Sequence, residues 1–180
     1  LPGISWFEGI YYNKEIFEEN NVELPKTFDE FLDVCTTFQN AGVTPLAAGL
    51  KSWEPLLKSS MAFVTAEYLS TDEGKGFGEK YRNGEVTMDG TWNPYIETWS
   101  QLIDNGVYTA DMTGIDHDQA LEQFATGGSA MFCSGPWDYD AIMEKNPELQ
   151  LDMMPFYGTK ESAGWLIGGP GCGFAANASS

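Results

Sequence analysis

Basic residues and histidine are scarce in this sequence of 180 residues. Only 9 Lys and Arg stand against 27 Asp and Glu, so the formal net charge is −18, and His117 is the single histidine. A surface this acidic repels nucleic-acid backbones and anionic membranes, which argues against both as partners. One histidine gives little support to a His-rich metal site or to a catalytic triad. His117 stands between Asp116 and Asp118, and we expect it to be exposed to solvent.

Long apolar runs and motif cysteines are also missing. No apolar run approaches the roughly 18 residues that a membrane-spanning helix needs. Cys35, Cys133 and Cys172 match no zinc or redox spacing, so we expect small buried hydrophobic side chains rather than a disulfide. The glycines of residues 168–173 do not precede the Lys-Ser/Thr of a phosphate loop, and tight backbone turns beside another surface explain them better. The sequence therefore predicts neither a metal nor a cofactor.

Helical periodicity alternates with short apolar segments along the whole chain. Thr27 and Glu30 form a capping-box pattern, and Ile96, Trp99 and Ile103 fall on one face of a later helix. This alternation predicts an α/β domain in which helices cover a sheet. Helices are predicted at residues 27–42, 54–69, 93–105, 116–128 and after 136, strands at 44–48, 130–133, 151–156 and 173–176, and a loop with one broken helical turn at 70–91.

Two acids follow the strand at residues 130–133. Asp138 and Asp140 flank Tyr139, and paired carboxylates carry out glycoside hydrolysis. Both acids also fall in the first turn of a predicted helix, where negative charge complements the helix dipole. We favour the helix-dipole interpretation and keep a hydrolase as the alternative.

Aromatic residues provide the positive signal, since several of the six Trp lie at junctions between elements. Trp53 precedes Glu54 between a strand and a helix, Trp137 lies at a strand-to-helix junction, and Trp165 lies in a loop. Loops after strand carboxyl ends face the ligand crevice in open α/β sheets. There an aromatic face can stack on the C–H face of a sugar, and acids such as Glu54 and Asp138 can accept hydrogen bonds from its hydroxyls. From the residues alone, ligand stacking and plain loop packing stay equally open.

Several segments resemble motifs of one known family. Residues 9–17, G-I-Y-Y-N-K-E-I-F, resemble its G-x-Y-Y-N-K-x-x-F, and residues 24–31 resemble its P-x-T-W-D-E-F, with Phe28 at the usual Trp. Residues 124–137, including the final Gly-Pro-Trp, resemble F-x-x-G-x-A-A-M-x-x-x-G-x-W, and residues 166–177 resemble its G-G-x-G-x-A-I return strand, enlarged at 170–172. In these motifs the chain is similar to the extracellular solute-binding proteins of bacterial sugar ABC importers.

The resemblance implies a lobe of the periplasmic-binding-protein type II fold, an α/β unit with a mixed sheet flanked by helices. Residues 1–180 would form a single lobe, the second of two that close over a sugar. The sequence starts and stops in mid-pattern, so we expect it to be a piece of a longer protein, with the first lobe supplied from outside Leu1 to Ser180. Residues near 1–8 and near 171–174 would lie where the chain crosses between lobes.

The resemblance also assigns aromatic residues to a ligand site. Trp137 matches the aromatic residue of the family's G-P-W platform and is expected to be the main stacking surface. Trp53 or Trp165 would offer a second face, and Tyr139 is assigned to the same site.

Acids complete the expected site. Glu54-Pro55 matches the E-P-Y sugar-contact motif of the maltose-binding member, but Leu56 replaces its stacking Tyr. Glu54 and Asp138 are expected to bond sugar hydroxyls. The implied function is a sugar-binding, non-enzymatic lobe of an importer's receptor, and a hydrolase using Asp138 and Asp140 or a cell-surface glycan-adhesion module are the alternatives.

The resemblance implies a setting for the protein as well. The expected partners are a mono- or oligosaccharide and the membrane permease subunits of an ABC importer, with the receptor itself a monomer. The expected location is extracytoplasmic, either as a cell-surface lipoprotein or free in the periplasm.

Overall fold

A computed structural model describes residues 4–160 and 164–173. Helices and strands alternate along these residues, as the periodicity predicts. The strands are β1 (Ser5–Asn13), β2 (Leu46–Ala47), β3 (Met131–Ser134), β4 (Leu151–Met154) and β5 (Ile167–Pro170). The α-helices are α1 (Lys14–Glu19), α2 (Phe28–Asn40), α3 (Glu54–Val64), α4 (Phe77–Arg82), α5 (Asn93–Trp99), α6 (Gln101–Asp104), α7 (His117–Ala125) and α8 (Tyr139–Lys145), with a π-helical segment at Thr65–Leu69 and 3-10 turns at Ala110–Gly114 and Pro136–Asp138.

The sheet is built around β1. The strand order is β2-β3-β1-β4, and β5 pairs with the amino-terminal half of β1. β2 and β3 are parallel, whereas β1 is antiparallel to β3, β4 and β5. Glu8 of β1 is opposite Ile167, and the next residue, Gly9, is opposite Ser134 of β3. The amino-terminal half of β1 therefore extends beyond the carboxyl ends of β2 and β3, at one end of the sheet.

Helices cover both faces of this sheet. Successive side chains of a strand point to opposite faces, so Ile10 packs with α2, α3 and α5 while Tyr11 packs with α7 and α8. The α/β domain that the periodicity predicts is confirmed, and so is the mixed sheet flanked by helices that the resemblance implies. Within residues 4–160 and 164–173, no helix is both long enough and apolar enough to cross a bilayer.

The capping box predicted at α2 and a second box at α7 differ in completeness. At α7, Asp116 accepts from the Gln119 N–H at 3.1 Å and the Gln119 side chain accepts from the Asp116 N–H at 3.0 Å, so the box closes. At α2, Thr27 accepts from the Glu30 N–H at 3.2 Å, but the Glu30 carboxylate accepts from the Lys26 N–H at 2.6 Å. The start of each helix is confirmed, since both caps form at their predicted residues.

Some predicted elements need correction. The helix predicted at 54–69 is α-helical only to Val64 and continues as a π-helical turn. The helix predicted at 93–105 is interrupted at Ser100, and Leu102 is buried there whereas Ile103, which the periodicity predicts on the same face as Trp99, is exposed. The strand predicted at 173–176 falls mostly on residues 174–176, which lie outside the described residues.

The cysteines also differ in part from expectation. All three are free thiols; Cys35 is buried and Cys133 nearly so, but Cys172 is exposed. Burial raises the pKa of the Cys133 thiol to about 12. Cys35 and Cys133 therefore act as small apolar side chains, whereas Cys172 follows a strand at the edge of the fold and packs into no core.

Candidate functional site

A cleft of about 430 Å³ opens at the end of the sheet where the carboxyl ends of β2 and β3 lie. The amino-terminal half of β1, the loop after β2 with the start of α3, the first residue of α7 and the turn after β3 all contribute to its wall. Carboxyl ends of strands are where α/β sheets commonly bind ligands. The lining residues are Glu8, Gly49, Ser52, Glu54, Pro55, Lys58, His117, Cys133, Trp137, Asp138 and Phe156.

Trp137 forms one wall of the cleft and is half-exposed, at 48%. It lies in the 3-10 turn that follows β3, next to Gly135. The Tyr11 hydroxyl donates to the Gly135 carbonyl oxygen at 3.1 Å and fixes the peptide from which this turn departs. The indole also lies against Gly135, where a Cβ atom would overlap ring atoms Cζ3 and Cη2 and the Phe7 carbonyl oxygen. A glycine is needed here because any side chain would occupy the space of the ring.

Lys58 is the cation of the cleft. Its Nζ atom donates to Glu8 Oε1 at 3.0 Å, lies 3.7 Å from Glu54 Oε2, and is 5.7 Å from the centroid of the Trp137 ring. That last distance is typical of a cation–π contact. Lys58 therefore links two acids of the cleft to its aromatic wall.

Asp138 is buried, at 8% exposure, and is the hub of a short polar network. Its Oδ2 atom accepts from the Ser134 hydroxyl and contacts His117 Nε2 at 2.8 Å. Burial alone would raise the pKa of Asp138, but the hydrogen bonds from His117 and Ser134 outweigh it and hold the pKa below its ordinary value. The helix-dipole interpretation of this acid is therefore incomplete, because Asp138 is anchored by side chains of β3 and α7.

His117 begins α7 and, as expected, remains half-exposed. The sequence does not reveal its contact with Asp138, because the two residues are 21 positions apart. The hydrogen bond to Asp138 raises the pKa of His117, against the opposing effect of partial burial. The ring is therefore held as a charge partner of Asp138 at the edge of the cleft.

Comparison with known proteins identifies the family. The sequence model of the family described as bacterial extracellular solute-binding protein matches residues 1–180. The chain belongs to this family.

Three known proteins are similar to this solute-binding chain. A multiple sugar-binding protein of Streptococcus mutans is 25% identical over 169 residues, which are 93% of this chain and 40% of that protein. A family 1 extracellular solute-binding protein from Bifidobacterium longum subsp. infantis superposes with a TM-score of 0.82 at 25% identity, over 94% of this chain and 44% of that one. A Bacillus licheniformis sugar transporter solved with stachyose has a TM-score of 0.76 at 20% identity, over 94% and 44% of the two chains, and shows likeness of fold. This solute-binding chain thus spans less than half the length of these relatives.

The cleft of this solute-binding chain brings together three of the predicted site residues, Glu54, Trp137 and Asp138. Trp53, Tyr139 and Trp165 are exposed aromatic side chains, and none of the three is among the described residues that line the cleft. Their roles stay predictions.

The backbone of Trp165 pairs with a residue of the cleft wall. Its N–H and carbonyl pair with those of Phe156, a residue of the cleft wall, at 2.8 and 2.9 Å. Trp165 is therefore the backbone partner of a residue that lines the cleft.

Sequence reasoning missed Glu8, Lys58 and Ser134. A Lys four residues after Glu54 on one helix is a recognisable ion-pair spacing, so Lys58 was detectable. Glu8 is an acid inside an otherwise apolar strand, which is a signal for a buried, partnered charge. Ser134 carries no pattern of its own. Across the described residues, no cluster of three or more His, Cys, Asp or Glu side chains could hold a metal ion.

Proposed function

We propose that this chain is the carbohydrate-binding lobe of an extracytoplasmic receptor that delivers sugar to an ABC importer. The observation that carries the proposal is the half-exposed indole of Trp137, held over Gly135 at the wall of a cleft rich in hydrogen-bond acceptors. Aromatic faces stack on sugar rings, and carboxylates accept hydrogen bonds from hydroxyls. Membership of the solute-binding family and a sugar-binding relative support the same conclusion.

Within the cleft, Trp137 stacks on the sugar and Glu54 accepts a hydroxyl hydrogen bond. Glu54 is suited to this role because its side chain is about half-exposed and its nearest cation, Lys58, is beyond hydrogen-bond distance at 3.7 Å. Asp138 is already engaged by His117 and Ser134 through Oδ2, so its main task is to hold the turn that carries Trp137. Trp53, Tyr139 and Trp165 extend the aromatic surface in the assembled receptor.

The chain supplies one wall of the binding site, and a second lobe supplies the other. Its span of less than half of each relative's length is consistent with one lobe of two. Hinge-type closure of two lobes buries the ligand, and permease subunits then accept it from a monomeric receptor. The location that follows is the cell surface or the periplasm.

We further propose that the lobe is not an enzyme. Glycoside hydrolysis requires a carboxylic acid that stays protonated, whereas the pKa of Asp138 is lowered and Asp140 is exposed at the start of α8. Incubation of the intact receptor with chromogenic glycosides tests this directly. Release of chromophore that disappears in Asp138→Asn would establish the hydrolase instead.

Calorimetric titration of the intact receptor with a panel of neutral oligosaccharides, stachyose among them, tests the proposed function. We expect at least one sugar to bind and Trp137→Ala to weaken it by about tenfold or more, since a stacking face of the cleft is lost. Tyr81→Ala is the matched control, because Tyr81 is an exposed aromatic on α4 that packs on Phe77 away from the cleft. Equal binding by the parent and Trp137→Ala would contradict the platform, and binding only to cell-surface polymer would favour an adhesion module.

A further inference from the structure

Glu8 is the most buried acid of the cleft, with 6% of its surface exposed. One carboxylate oxygen, Oε1, accepts from Lys58 Nζ at 3.0 Å. The other oxygen, Oε2, is buried and has no hydrogen-bond partner among the described residues. A buried carboxylate oxygen without a partner is costly, so its presence in a cleft wall indicates that something else satisfies it.

Lys58, which bonds the other oxygen of Glu8, has N–H donors that are not used in hydrogen bonds to the described residues. Its ammonium carries three N–H donors, and Glu8 takes one of them. Glu54 at 3.7 Å is too far for a hydrogen bond, and the Trp137 ring interacts with the charge of Nζ rather than with one N–H. The free acceptor of Glu8 and the free donors of Lys58 therefore belong to two side chains that are joined on the cleft wall by the 3.0 Å bond between Nζ and Oε1.

We propose that Glu8 and Lys58 form a paired hydroxyl-binding subsite for a neutral sugar with adjacent hydroxyl groups. One hydroxyl donates to the free oxygen of Glu8, and its neighbour accepts from Lys58 while the sugar ring lies against Trp137. The side-chain torsion χ3 of Glu varies broadly, so a small rotation presents the free oxygen to the cleft. This inference rests on the proposed sugar-binding function and adds to it two residues and a ligand class.

The charge of the cleft sets the ligand class. Three carboxylates, those of Glu8, Glu54 and Asp138, line it, whereas Lys58 is the one lysine or arginine among its described lining residues. A uronic acid would add a further negative charge to this set, whereas a neutral sugar adds none. The subsite therefore favours neutral sugars over their uronate counterparts.

The first test is calorimetry on the intact receptor with Glu8→Gln, which keeps the shape of the side chain and removes its charge. For the tightest-binding neutral sugar of the panel, we expect about tenfold or greater loss of affinity, because a charge-assisted hydrogen bond is replaced by a neutral one. Glu122→Gln is the matched control, since Glu122 is an exposed acid that pairs with Lys145 outside the cleft. Unchanged affinity in Glu8→Gln, or a uronate that binds as tightly as its neutral parent, would overturn the subsite.

A second variant separates binding from folding. Lys58→Met leaves a buried Glu8 without its partner and is expected to lower the melting temperature, whereas Glu8→Gln with Lys58→Met removes both charges and is expected to restore it. Sugar affinity should stay low in this double variant. Recovery of affinity together with stability would show that the pair is only structural.

The outcomes also separate this inference from the proposed function. If the parent receptor binds no oligosaccharide of the panel, both fail. If the parent binds and Trp137→Ala weakens binding while neither Glu8→Gln nor the double variant does, sugar binding stands and the paired subsite is wrong.

Discussion

At Gly135 the backbone and an indole occupy the space that any side chain would need. The backbone angles there, φ −124° and ψ −178°, suit every residue, so the requirement is one of space rather than conformation. A Cβ atom would overlap both the Trp137 ring and the Phe7 carbonyl oxygen. The position of the proposed sugar platform therefore depends on a glycine two residues before it.

Gly135→Ala tests this dependence. We expect the Trp137 ring to move, sugar affinity to fall by about tenfold, and the free energy of unfolding to fall by about 1–3 kcal/mol, as for other overpacked sites. Calorimetry, tryptophan fluorescence and urea unfolding measure the three effects.

Gly78→Ala is the control for Gly135→Ala. Gly78 lies in α4 with open space around the position of a Cβ atom, so Ala there should leave binding unchanged and add helix propensity. If both variants bind equally well, the ring is not held by its contact with Gly135.

His117 and Asp138 make stability depend on pH. The pKa of His117 is raised by its hydrogen bond to Asp138, so the stability it contributes is complete below its unfolded pKa and is lost as pH rises through the folded value. The pKa of Asp138 is lowered, so its contribution is present above the unfolded pKa and is lost as pH falls through the folded value. The pair therefore stabilises the fold most between the unfolded pKa of Asp138 and the unfolded pKa of His117, and its contribution decreases outside that range.

His117→Gln should remove the alkaline part of this dependence. Because His117 is the only histidine of the chain, thermal melts of the 180-residue chain between about pH 5 and pH 9 report on it without interference from other imidazoles. We expect the parent to lose melting temperature as pH rises above neutrality and the variant to lose less. Parallel curves for the two proteins would show that the pair contributes nothing to stability.

At the scale of elements, the closed capping box of α7 positions a residue of the cleft, because His117 is the first residue of that helix. Gly49 supports the same point from the loop after β2, where a Cβ atom would lie within 2.7–2.8 Å of the backbone of Asp116 and His117. The start of α7 is therefore fixed both by its own side chains and by a close-packed loop.

Asp116→Ala opens the box and is expected to lower the free energy of unfolding by about 1 kcal/mol. Asp116 is also 3.8 Å from Lys51, but both side chains are exposed, and such a pair adds little. Because the cap positions His117, the His117 pKa followed by NMR should fall toward its ordinary value as well. Thr27→Ala, at the cap of α2, should cost similar stability and leave the His117 pKa unchanged, and an equal pKa change in both variants would contradict the account.

The elements were largely predictable because their signals are local. Thr27 and Asp116 cap helices at the residues that the motifs indicate, and the apolar run that begins at Met131 is a buried strand. Helix interruptions were not predictable, since the break at Ser100 carries neither Gly nor Pro. Contacts between distant segments were not predictable either, and for that reason Glu8 and the partners of Asp138 emerged only from the structure.

At the scale of the whole molecule, the chain has two apolar cores on a single sheet, so we expect it to fold as an independent lobe. One wall of a cleft leaves most of a ligand in water. We therefore expect the isolated 180-residue chain to show a cooperative melt and to bind sugar at least about tenfold more weakly than the intact receptor. Calorimetry on both proteins checks this, and equal affinities would show that one lobe suffices.

The central claim is that a sugar ring stacks on Trp137 in this cleft, and a crystal structure of the intact receptor with its tightest-binding oligosaccharide tests it most directly. The account predicts a pyranose ring lying against the Trp137 indole, with a hydroxyl within hydrogen-bond distance of the Glu54 carboxylate. A sugar bound elsewhere, or one that leaves Trp137 in solvent, would contradict it.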